Sequence, residues 1–121
     1  MSIVEKQMAF ATCLGHSLTY AAENGHMVTV GDAYRDPRVF GKMGGNTRKN
    51  YGSAYSQHKM RMACDLNLFA LVDDNWKYVG DSALYAPLGD FWTTLHPDAR
   101  WGGNWTQPDG AHFSFEHAKR Q

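Results

Sequence analysis

Two cysteines are all the thiol chemistry that 121 residues carry, and Cys13 and Cys64 lie far apart with no metal-ligand spacing. This argues against a disulfide framework and predicts reduced, buried thiols. No apolar run approaches the roughly 20 residues needed to span a bilayer, so a soluble chain is expected. The N-terminal ten residues place Glu5, Lys6 and Gln7 where a secretory leader needs a basic start followed by an unbroken apolar stretch. Export by that route is not expected. Net charge is missing as well, since 12 basic and 12 acidic side chains cancel. With no recognisable DNA- or RNA-binding motif either, no nucleic-acid partner is expected.

What the chain does have is apolar content, 43% with frequent aromatics. That suffices for one packed domain over residues 1–121, able to bury most of its apolar surface without disulfides or a structural metal. Charge is locally uneven. Between Pro37 and Cys64 there are six basic residues (Arg38, Lys42, Arg48, Lys49, Lys59, Arg61) and no acidic one, a patch able to attract anionic groups. Gly41, Gly44, Gly45 and Gly52 mark Gly41 to Ser53 as a long loop of the kind that serves as a lid or binding surface. Their spacing fits no phosphate-binding pattern.

Near-helical recurrence of Met8, Ala11, Cys13, Leu14, Leu18, Ala21 and Ala22 predicts a helix from about Val4 to Asn24, stopped by Gly25. Met27 to Val30 alternates as a strand. A strand over Met62 to Val72 should turn at Asp73, Asp74 and Asn75 and return through Trp76 to Val79. Asp81 or Ser82 can cap a second helix whose apolar face is Leu84, Tyr85, Leu88, Phe91, Trp92 and Leu95, ending near His96 and Pro97. The alternation from His112 to Glu116 predicts a strand with Phe113 and Phe115 on one face and His112, Ser114 and Glu116 on the other.

The chemistry concentrates in two places. His58 and Asp65 stand seven residues apart, and His112 follows far downstream with Asp109 three residues before it. Two imidazoles and a carboxylate around one open position, with a spare acid beside it, is the donor set of a hydrolytic zinc site. Side chains an odd number apart on one straight strand point to opposite faces, so His58 and Asp65 can converge only across a turn or bulge near Lys59 to Arg61. A lone histidine is more often structural, and His16, His26, His96 and His117 are left in that class.

These residues match a family pattern. Ser56, His58, Ala63 and Asp65, followed by Trp101, Gly102, Gly103, Trp105, Asp109, His112 and Phe113, occur in the order found in the small zinc D,D- and L,D-peptidases of phage endolysins, and Arg35 before Pro37 matches an upstream arginine. The chain thus resembles the L-alanyl-D-glutamate peptidases and D-Ala-D-Ala carboxypeptidases that share a fold with the hedgehog signalling domain. Arg61 stands where a glycine is common and Asn104 where an aspartate is frequent, neither being an expected ligand. The resemblance implies an α+β fold, with a small antiparallel sheet packed against two main helices. It implies Zn2+ held by His58, Asp65 and His112, Asp109 as general base and acid, Arg35 on an oxyanion or substrate carboxylate, and Ser56 orienting substrate.

The activity implied is hydrolysis of a peptide bond in bacterial peptidoglycan, with the L-alanyl-D-glutamate bond favoured by the downstream motif. The alternatives are a D-Ala-D-Ala carboxypeptidase or dipeptidase, a non-catalytic zinc-stabilised wall-binding domain, and a virion-associated wall-cutting module. A monomer held in the host cytoplasm until lysis is expected.

Overall fold

The computed structural model describes residues 2–31 and 61–117. Gly41 to Ser53, Arg35, Ser56, His58 and Lys59 therefore lie outside the described residues. Helix α1 (Ile3–Glu23) begins at Ser2, whose hydroxyl accepts from the Glu5 amide at 3.1 Å while the Glu5 carboxylate reaches back to Ser2. This reciprocal capping satisfies amides that the first helical turn leaves open. The helix buries Phe10, Cys13, Ser17 and Ala21. The recurrence predicted from sequence marks the right helix but shifts its stripe: Met8 is exposed and Phe10 is the buried anchor, because a near-helical repeat fixes the period better than the phase. Gly25, at φ 76°, ends the helix in the left-handed region as predicted.

Strand β1 (Met27–Val30) runs antiparallel to β2 (Ala63–Val72), with Val30 opposite Leu66. Arg61 has φ 60°, so the chain turns just before β2, at the C-terminal end of the expected bend. Asp73 and Asp74 both have positive φ, the hallmark of a type I′ hairpin turn, and lead into β3 (Asn75–Tyr78). Next, the expected second helix divides. Asp81 caps a 3₁₀ turn (Ser82–Tyr85), and α2 (Ala86–Thr94) starts afresh with Pro87 in its first turn, where a missing amide hydrogen costs nothing. Leu84 is left exposed, outside the apolar face assigned to it.

Strands β4 (Ala99–Trp101), which sequence periodicity did not reveal, and β5 (His112–Phe115) complete the described part of the sheet. The order is β1-β2-β5-β4, with β3 on the same edge of β2 as β5 but further along it. All pairings are antiparallel. The class is α+β, with a small antiparallel sheet against two helices, as predicted. Even-numbered β2 residues Cys64, Leu66 and Leu68 are buried among the core residues, which include Phe10 and Trp92. Trp92 meets Phe10 and Phe113 edge-on at 5.4 and 6.0 Å, and its indole donates to Arg100 O and Ser114 O. Tyr20 stacks on Phe91 at 4.1 Å, joining α1 to α2. Strand β5 forms where the alternation predicted it, and both of its faces are buried, His112 and Ser114 included.

Candidate active site

Asp65 and His112 lie directly opposite each other on β2 and β5. The ladder bonds on either side run from Leu66 N to Ala111 O and from Phe115 N to Met62 O. Asp65 and His112 are thus a non-hydrogen-bonded pair, the type in which antiparallel side chains stand closest. Their side chains follow: Asp65 Oδ1 is 3.7 Å from His112 Nδ1. Both side chains are largely withdrawn from water, at 25% and 7% exposure.

The turn before His112 is built by glycine. Trp101 ends β4, and a 3₁₀ turn (Gly102–Asn104) brings the chain back so that Gly102 O accepts from the amides of both Trp105, at 3.1 Å, and Asp109, at 2.9 Å. A Cβ on Gly102 would collide with the Asp109 carbonyl and stand 3.0 Å from the His112 Cβ. A Cβ on Gly103 would enter the Trp101 ring. The Trp101 indole donates to Gly110 O at 2.7 Å, and the Gly110 amide donates to Ser82 Oγ at 2.9 Å. Asp109 O accepts from the His112 amide at 3.1 Å. The backbone of Asp109 is therefore fixed at both ends, while the residue itself is exposed to solvent. Trp105, half-buried, lays its ring 4.7 Å from the His112 imidazole and walls one side.

Three site residues read from sequence, Asp65, Asp109 and His112, are thus brought to one corner of the sheet. His58, Arg35 and Ser56 lie outside the described residues. Among the described residues no group of three His, Cys, Asp or Glu side chains gathers around a common point. The pair that is described suits a cation. Two ligands about 2.1 Å from one tetrahedral zinc stand roughly 3.4 Å apart, and a carboxylate oxygen and an imidazole nitrogen are zinc donors. The 3.7 Å separation needs only a small closure.

The neighbouring thiol is not part of this chemistry. Cys64, on the opposite face of β2, is free, and burial first, with Asp65 adding, pushes its pKa up to about 11. His96 stacks on Phe115 at 4.4 Å and accepts from the Asp98 amide, a structural arrangement. Sequence reasoning placed Tyr85 only on the apolar face of the second helix. Its hydroxyl accepts from Leu68 N and donates to Val79 O, joining β2 to the end of β3 beside the site. A tyrosine on an apolar helical face carries no sign of that role.

A family model described as D-alanyl-D-alanine carboxypeptidase matches residues 49–115. That span holds Ser56, His58, Asp65, Asp109 and His112, and leaves Arg35 outside. A search of curated proteins gave no match. Since the matched span is more than half of the chain and contains the paired Asp65 and His112, the chain belongs to the D-alanyl-D-alanine carboxypeptidase family of peptidases.

Proposed function

We propose that this chain is a zinc-dependent hydrolase of a peptide bond in the stem peptide of bacterial peptidoglycan. The observation carrying this reading is the carboxylate and imidazole of Asp65 and His112 facing each other at 3.7 Å, with Asp109 on the turn that leads into His112. His58, Asp65 and His112 would hold the ion. When bound, zinc supplies Lewis-acid chemistry, polarising oxygen and making water acidic enough to attack at neutral pH. Asp109 takes the proton of the attacking water on its carboxylate and returns it to the leaving amine as the C–N bond breaks. Arg35 holds a substrate carboxylate or the developing oxyanion through its planar guanidinium. Ser56 orients the peptide by a hydrogen bond. Trp105 shields His112 from bulk water, which strengthens electrostatic interactions at the site.

The bond favoured is L-alanyl-D-glutamate, on the Trp101-Gly102-Gly103-Asn104-Trp105 segment and its Asp109 and His112 sequel, which resemble the endolysin branch. A phage lysis role follows from that preference. The family match supports a second reading, removal of the terminal D-alanine. One experiment separates them. The synthetic stem pentapeptide L-Ala-γ-D-Glu-L-Lys-D-Ala-D-Ala is digested before and after chelation, with zinc measured on the same protein. Free L-alanine with a D-glutamyl tetrapeptide supports the first, and free D-alanine the second. An intact peptide with zinc-replete protein rejects hydrolysis.

A further inference from the structure

Strands β5 and β3 share one edge of β2 but do not meet. Leu66 N bonds to Ala111 O and Leu68 O to Val79 N, leaving a break of two residues, about 7 Å. One lip of the break is the turn carrying Asp109, and the other is the end of β3 carrying Tyr78. The Tyr85 hydroxyl fills it from below, accepting from Leu68 N at 2.9 Å and donating to Val79 O at 2.7 Å. Tyr85 is buried, and its pKa is pushed up to about 12, by burial first, with Tyr78 and Asp109 among the lesser causes.

Tyr78 is placed differently from Tyr85. It is 59% exposed, pairs with Phe69 in the β2–β3 register, and sets its ring edge-on to Phe69 at 6.0 Å. Phe69 is four residues from Asp65 on an unbroken strand, so Phe69 and Tyr78 lie on the face that carries the site. An exposed phenol thus stands on the face of Asp65 and His112, with the turn that carries Asp109 on the other lip of the break, and it has no part in the reaction outlined above.

We propose that Tyr78 is a substrate-positioning residue, its hydroxyl donating to a backbone carbonyl or carboxylate of the stem peptide while Asp109 serves the bond being cut. This rests on the hydrolytic reading and adds to it a specificity contact. Phe69, opposite Tyr78, is four residues or roughly 13 Å along β2 from Asp65, and an extended peptide advances about 3.5 Å per residue, so the contact falls about four substrate residues from the scissile bond. Bracing by Phe69 limits the side-chain freedom lost on binding, which favours a contact expressed in affinity.

The test is Tyr78→Phe, which keeps the ring and removes only the hydroxyl, assayed on the same pentapeptide. KM is expected to rise about tenfold, the loss of one good hydrogen bond, while kcat falls less than about threefold. Melting temperature should change little, because Tyr85 keeps its bonds to Leu68 N and Val79 O and still closes the break. An unchanged KM overturns the proposal. So does a fall in kcat that tracks a fall in melting temperature, which would mark Tyr78 as a structural residue. Wild-type protein that leaves the peptide intact overturns the hydrolytic reading together with this one. Wild-type cleavage with an unaltered KM in Tyr78→Phe overturns the Tyr78 contact alone.

Discussion

At Asp65, a carboxylate on a mostly buried strand has to be compensated by something that favours its charge, and the imidazole opposite it is positioned to share a cation. Asp65→Asn keeps the shape and removes the charge. It is expected to take the bound zinc from about one ion per chain to near none after dialysis, with the circular dichroism spectrum retained. Asp109 should behave in the opposite way. Exposed and held by its backbone, it is proposed as base rather than ligand, so Asp109→Ala should lower kcat by roughly 10² to 10⁴ while zinc content stays at the wild-type level. Zinc lost with Asp109 would show it to be a ligand and overturn that assignment. These residues were legible in the sequence through paired motifs. Trp105 against His112 and Tyr78 beside Phe69 were not, because an aromatic side chain reads alike as core or as pocket wall until its neighbours are known.

Among elements, the 3₁₀ turn Gly102–Asn104 does most to set the site, since it carries the chain from β4 to the Asp109 turn without room for a side chain. Gly102→Ala should cost about 1–3 kcal/mol by overpacking against the Asp109 carbonyl and His112, read as a lower urea midpoint, and should lower kcat as Asp109 is displaced. The break in the sheet edge gives a second prediction. Tyr85→Phe leaves Leu68 N and Val79 O without that hydroxyl and should destabilise by about 1–3 kcal/mol. Its pH dependence has a definite sign. Tyr85 and Cys64 have folded-state pKa values raised from 10.0 to about 12 and from 9.0 to about 11, so the folded state keeps protons that the unfolded chain releases. The stability they contribute is complete below about pH 9 and is lost as pH rises toward 12. Melting temperature against pH should therefore fall across that window, and Tyr85→Phe should flatten the upper part of the fall. A profile in the variant parallel to wild type would reject Tyr85 as the source.

For the whole molecule, cancelling charges coexist with six basic residues and no acid between Pro37 and Cys64. Neutralising Arg48 and Lys49 should weaken association with peptidoglycan sacculi more at low salt than at high salt, because exposed charges are screened as the Debye length shortens. Equal losses in a sedimentation assay at both salt concentrations would reject an electrostatic role. No helix among the described residues is long and apolar enough to cross a membrane. The first helix, the Met27 to Val30 strand and the hairpin at Asp73 and Asp74 were readable in sequence because they are local: period, caps and turn residues act within a few positions. The donor types and their order were readable for the same reason. Tertiary structure alone decided that Asp65 and His112 form a closely spaced pair, that β4 exists, and that Tyr85 closes a gap between β5 and β3. Those features depend on register between segments up to about fifty residues apart, which only packing of the whole sheet determines.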